Sequence, residues 1–73
     1  MGKDIYSKEH RDLVKQLKKA REEAGLSQID AAKKIDKTQS YVSKLESGQR
    51  KVNVAQLRRF AKAYRKDIKY FIR

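Results

Sequence analysis

The sequence predicts an all-α domain. No proline occurs anywhere in it, β-branched residues never alternate with polar ones for long, and apolar residues recur at steps of three and four. Residues 1–7 read as a flexible N-terminus and residues 8–73 as a single domain. In the first helical stretch Leu13, Leu17, Ala20 and Ala24 share one stripe, with Lys15, Lys18 and Lys19 outside it. Gly25 ends this helix, because glycine enters the left-handed cap conformation without steric cost. Ser27 then has the place of an N-cap with Asp30 as its capping-box partner, and Ala31, Ala32 and Ile35 supply small apolar contacts. Asp36-Lys37-Thr38 breaks that two-turn helix, since aspartate tolerates the left-handed region and Thr38 can cap the next helix. This third helix runs over 39–46 and buries Val42 and Leu45. Gly48 is the pivot of the next turn. Asn53 with Gln56 has the spacing of a second capping box, and Val52 with Leu57 that of a hydrophobic staple. The fourth helix buries Leu57, Phe60, Ala61 and Tyr64, and a last short helix from Asp67 presents Ile68, Phe71 and Ile72.

Seventy-three residues, 38% hydrophobic and 40% charged, allow one compact but thin core. The absence of cysteine excludes disulfides and thiolate metal sites and suits a cytoplasmic protein, and His10 has no second ligand at metal spacing. No cofactor is expected. Apolar runs fall well short of the roughly 20 residues a membrane span needs. Enzyme chemistry is not expected either: there is no glycine-rich phosphate loop, and His10 has no arrangement in which to activate a serine.

The net charge of +11 points toward an anionic partner. Its distribution is uneven: residues 1–46 hold 11 basic and 8 acidic side chains, whereas residues 47–73 hold 9 basic ones and a single acid, Asp67. Two short helices joined by a three-residue turn, over 27–35 and 39–46, have the helix-turn-helix layout, in which the second helix can enter a major groove.

The residues Ala20-Arg21-Glu22-Glu23-Ala24-Gly25-Leu26-Ser27-Gln28, then Ala32 and Ile35, then Thr38-Gln39-Ser40-Tyr41-Val42-Ser43-Lys44-Leu45-Glu46-Ser47-Gly48 closely resemble the Cro/C1-type helix-turn-helix family, also called the XRE family, of phage and bacterial regulators. The resemblance extends from about Leu13 to Phe71. It implies a lambda-repressor-like bundle of five helices that binds double-stranded DNA. The family's base-reading positions fall on Gln39, Ser40 and Lys44, with Ser43 close to the groove. Those residue types suit the task, because glutamine can pair with adenine through two hydrogen bonds and lysine can donate to guanine. Backbone contacts are expected from Ser27 and Gln28 at the start of the second helix, from Arg50 and Lys51 in the loop, and from Asn53 with the helix N-terminus it opens. Tyr41 reads equally as a backbone contact or as a ring at the rim of the core. Arg21 and Glu46 occupy the positions of an internal ion pair in similar proteins.

Several residues depart from the family pattern. Ala31 stands where a leucine is usual and Ile29 where a polar residue is usual, so either the packing shifts or Ile29 is exposed. Asp36 replaces the turn glycine, Lys37 the apolar residue after it, and Arg65 a glycine between the last two helices.

Helix-turn-helix modules commonly bind as two-fold dimers. Tyr64, Ile68, Tyr70, Phe71 and Ile72 are expected to form the contact between copies, with Ile5 and Tyr6 as further candidates, unless they complete the core instead. Repression of transcription is the expected role. The alternative is an antitoxin-like or antirepressor-like module that masks a protein partner, with DNA binding secondary.

Overall fold

The computed structural model describes residues 7–71. Four α-helices succeed one another: α1 over Lys8–Glu23, α2 over Gln28–Lys34, α3 over Gln39–Glu46 and α4 over Val54–Ala63. Among the described residues a 3₁₀ turn at Ile68–Tyr70 follows them. The expected fifth helix is therefore corrected to a turn. Its bonds run from the Tyr70 amide to the Asp67 carbonyl and from the Phe71 amide to the Ile68 carbonyl, the i to i+3 pattern of a segment too short to close an α-helical ring.

Each element starts in the same way. Ser7, Ser27, Thr38 and Asn53 each accept the backbone N–H three residues on, at 3.1, 3.0, 3.1 and 2.8 Å, and Asp67 accepts that of Lys69 at 2.9 Å. This satisfies one of the amides that every helix start leaves without a partner. At Ser27 the capping box is complete, because the Ser27 amide donates to Asp30 Oδ2 at 3.3 Å. At Asn53 only half of the expected box forms: the Gln56 side-chain oxygen is buried without a hydrogen-bond partner rather than turned back to the cap.

Each helix also ends in the same way. The residue after the C-cap is left-handed, and the next amide reaches back five residues: Leu26 to Arg21, Lys37 to Ala32, Gln49 to Lys44 and Lys66 to Ala61, at 2.8 to 3.1 Å. These are Schellman closures. Gly25 and Gly48 hold two of the left-handed positions, but Asp36 at φ 60° and Arg65 at φ 59° hold the others. Aspartate is among the few side-chain-bearing residues that visit this region routinely; arginine is not.

The core is built on Leu17, Ile35, Val42, Leu45 and Phe60, each fully buried. α2 packs on α3, α1 on α3, and α4 on the 3₁₀ turn. Ala20, Ala31 and Ala32 are also buried, so α2 meets the rest of the core through small residues. This resolves the departures at the second helix: Ala31 takes the inward place with a smaller side chain, while Ile29 is 55% exposed. The apolar face of α1 is wider than the expected stripe. His10, Val14, Leu17, Ala20 and Arg21 are its buried residues, and Leu13 and Ala24 flank them, half-buried against the core.

Two outcomes test the terminal motifs. Arg65→Gly should stabilise the domain by about 1 kcal/mol, raising the melting temperature by roughly 4–8 °C, because it removes the left-handed strain; unchanged melting would mean that Arg65 is not strained. The Ser27 amide and hydroxyl hold the Asp30 carboxyl below its ordinary value of 3.8. A depressed pKa stabilises the fold above the unfolded value and ceases to do so as pH falls through the folded one. The stability gap between wild type and Asp30→Ala, measured by urea unfolding, should be steady at neutral pH and narrow below pH 3.8; a gap independent of pH would count against the box.

Candidate nucleic-acid interface

α3 turns two different faces to its surroundings because Val42 and Leu45 anchor one of them in the core. On the other, Gln39, Ser40 and Lys44 are exposed and Ser43 is half-buried. Ser40 and Lys44 are one helical turn apart and so stand one above the other, with Gln39 at the helix start.

The position of that helix is held by a chain of four polar side chains. Arg21 Nε donates to Glu46 Oε2 at 2.7 Å and its Nη2 to Oε1 at 3.1 Å, while Nη1 donates to the Leu26 carbonyl at 2.8 Å. The pair is largely buried, with side chains 10% and 5% exposed. The bond to Glu46 raises the Arg21 pKa further above its ordinary value, against the opposing effect of burial. Glu46 Oε1 also accepts from Gln28 Nε2 at 3.1 Å, and Gln28 Oε1 accepts from Gln39 Nε2 at 2.8 Å. An ionised carboxylate can only accept, so the order of donors along the chain is set by Glu46. Gln28 turns its amino group to Glu46 and its oxygen to Gln39. Gln39 is left with its carbonyl oxygen and one N–H free of this chain. Gln28 likewise keeps one N–H for the phosphate expected of it.

Cations frame the exposed face. Tyr41 is half-buried against the core, and its ring lies 5.3 Å from Lys37 Nζ and 5.0 Å from Arg50 Cζ. Tyr41 is thus a ring at the rim of the core, and it holds two cations by attraction to its π face. Lys37, Ser40, Tyr41, Lys44 and Arg50 line a common depression with Asp36 and Thr38. Lys51 is exposed in the same loop as Arg50, and Asn53 is exposed at the start of α4. Ser27 differs from the expectation made of it, because its amide and hydroxyl oxygen are both engaged with Asp30.

The helix-turn-helix family model matches residues 17–71, three quarters of the chain and every element that builds this face. The chain belongs to the Cro/C1-type helix-turn-helix family. It is a DNA-binding domain of the kind that transcription regulators use, in a family whose members are typically regulatory. No curated protein matches it. Among the described residues no helix is long and apolar enough to cross a membrane.

The residues expected at a contact between helix-turn-helix copies divide into two groups. Tyr64 and Phe71 are 2% and 7% exposed and complete the monomer core, so their apolar area is not available to a partner. Ile68 and Tyr70 are half-buried and remain candidates. Ile72, Ile5 and Tyr6 lie outside the described residues. Sequence reasoning missed the two bonds of Gln28, since side-chain contacts across 11 and 18 residues have no local signal. It also missed the tie between the end of α1 and the segment after α4, where Lys66 Nζ donates to Glu23 Oε1 at 2.9 Å and lies 4.7 Å from the Tyr70 ring. The burial of His10 was open to detection, as it stands four residues before Val14 and seven before Leu17.

Removing one side of the ion pair, by Arg21→Ala or Glu46→Ala, should cost about 3–5 kcal/mol in urea unfolding, because the remaining charge is left buried and alone. The double substitution Arg21→Met with Glu46→Leu should cost much less than the sum. Single losses below about 1 kcal/mol would show the pair to be solvated in the manner of a surface bridge.

Proposed function

We propose that this domain reads a specific site in double-stranded DNA as a dimer and represses transcription by occupying it. The reading rests on one observation above the others: α3 presents Gln39, Ser40 and Lys44 outward on a helix whose two ends are tied through Gln28 and Glu46. A helix held in this way can enter a major groove with little further ordering. Gln39, with one donor and one acceptor free, suits adenine; Lys44 suits guanine; Ser40 and Ser43 suit several bases. Arg50, Lys51, Lys37 and the Tyr41 hydroxyl would meet phosphates beside the groove, as would Gln28 and the amides of α4 just after Asn53.

A single reading helix contacts too few base pairs for useful selectivity, which is the argument for two copies on half-sites about one helical turn apart. Ile68 and Tyr70 are the surface residues best placed for that contact. Leu13, half-buried on α1 in a groove that also holds Glu9, Asp12 and Lys15, adds a further side chain that a second copy could cover. Such a regulator works in the compartment that holds the DNA, here the cytoplasm.

Selection of bound duplexes from a random library at about 150 mM salt tests the reading. A two-fold symmetric site should emerge, with each wrong base pair costing about 1–3 kcal/mol. Lys44→Ala should then relax preference at particular base pairs, while Arg50→Ala weakens binding to all sequences alike. An absence of enrichment would overturn sequence reading, and uniform losses from both variants would overturn the division of roles. A sedimentation mass of one chain on the selected site would overturn the dimer.

A further inference from the structure

A second cluster of cations lies outside the reading face. Lys34 at the end of α2 and Arg59, Lys62 and Arg65 on and just after α4 line a concavity of about 470 Å3 with Ala63. It shares no lining residue with the depression beside α3. Lys62 stands nine residues beyond Asn53, or about 13 Å along the helix axis, so the cluster occupies the end of α4 remote from its N-terminus. Among the described residues, Lys34, Lys62 and Arg65 take part in no ion pair. Of the carboxylates in their neighbourhood, Glu23, which lines the adjoining depression, is paired with Lys66, and Asp30, one turn before Lys34, is bonded to the Ser27 amide and attracts Lys34 without forming an ion pair with it. Arg59 is held in place by a bond from Nη1 to the Ile35 carbonyl at 3.3 Å. Arg65 sits in a left-handed conformation that glycine would adopt more easily, so a cation is present where the backbone favours none.

We propose that this concavity binds the sugar-phosphate backbone of a second DNA duplex, so that the protein bridges two segments of DNA. The inference rests on the reading of α3 as the DNA-reading helix. Four like charges around one hollow repel one another, and a polyanion relieves that repulsion while releasing its counterions. The lining favours phosphate over an acidic protein segment. Its sole apolar side chain is Ala63, which leaves a protein partner without the apolar centre that protein interfaces bury. It also lacks amide and aromatic side chains, so it can track a backbone without reading bases.

The test uses a short duplex fixed to beads, the full chain, and a labelled duplex of unrelated sequence. Wild type is compared with the triple variant Lys34→Gln, Lys62→Gln and Arg65→Gly. The first two positions are exposed, and the third change relieves strain, so the variant keeps its fold; Arg59 is retained for its backbone bond. Both proteins should bind the fixed duplex within about threefold of each other, while capture of the labelled duplex falls about tenfold or more in the variant. The slope of log capture on log salt should flatten by about 2.7, from roughly 0.9 for each of three lost phosphate contacts. Equal capture by both proteins, or binding of the fixed duplex without any capture, overturns the proposal and leaves the reading of α3 intact. A parallel loss of binding to the fixed duplex also overturns it, since the cations would then serve that same duplex. Capture abolished by polyglutamate but untouched by excess unlabelled duplex would reassign the hollow to an acidic protein. Failure of wild type to bind the fixed duplex overturns both readings.

Discussion

Arg21 and Glu46 form the contact on which the arrangement of the other helices depends. Twenty-five residues apart in the chain, they join the last turn of α1 to the last residue of α3. Taking two charges out of water is costly, and their attraction offsets that cost only if the remaining donors and acceptors are also satisfied. Here they are. Arg21 donates to both carboxylate oxygens and to the Leu26 carbonyl, and Glu46 accepts from Arg21 and Gln28. The Leu26 bond fixes the chain as it enters α2, and the Gln28 bond fixes the first turn of α2 against both ends of α3. A carboxylate at the centre of the domain thus determines how an amide is turned at its surface.

Around that contact the helices are short and their ends are strictly specified. A seven-residue or eight-residue helix gains little from propensity alone, since nucleation is costly and each terminus leaves amides and carbonyls without partners. Side-chain caps and left-handed closures satisfy those groups at every junction. The same closures aim the chain. A three-residue turn that must pass through Asp36 leaves little freedom in the angle between α2 and α3, and this makes the pair a rigid unit rather than two helices on a hinge.

The surface divides its positive charge by what surrounds it. Beside α3, Lys37 and Arg50 lie against the Tyr41 ring, and the exposed polar side chains between the cations are able to distinguish bases. At the far end of α4 the cations have neither aromatic nor amide neighbours in their hollow. The two regions therefore differ in chemistry as well as place: one is equipped to select a sequence, the other to hold a charged polymer of any sequence. The acidic residues nearby serve the scaffold, with Glu23, Asp30 and Glu46 each bonded within the chain.

The caps at Ser27, Thr38 and Asn53, the inward residues of α3 and α4 and the helix-turn-helix layout were legible in the sequence, because each depends on residues no more than about five apart; Ser7, which caps α1, was read as part of the N-terminal segment instead. Serine, threonine, asparagine and aspartate at helix starts, and glycine after helix ends, act on the nearest backbone groups. Val42 and Leu45, or Leu57, Phe60 and Ala61, show their shared face through helical period alone. Family resemblance extended this reading to the pairing of Arg21 with Glu46, which no local pattern specifies. What only the tertiary structure decided lies across longer separations. The shift from a fifth helix to a 3₁₀ turn, the burial of Phe71 in the core, the route from Glu46 through Gln28 to Gln39, and the meeting of Lys34 with Arg59, Lys62 and Arg65 all depend on which elements pack together. Local residues set where each helix begins, ends and turns its apolar face; the choice of neighbour is made by the whole core at once, since buried side chains must find volume and most buried polar groups a partner.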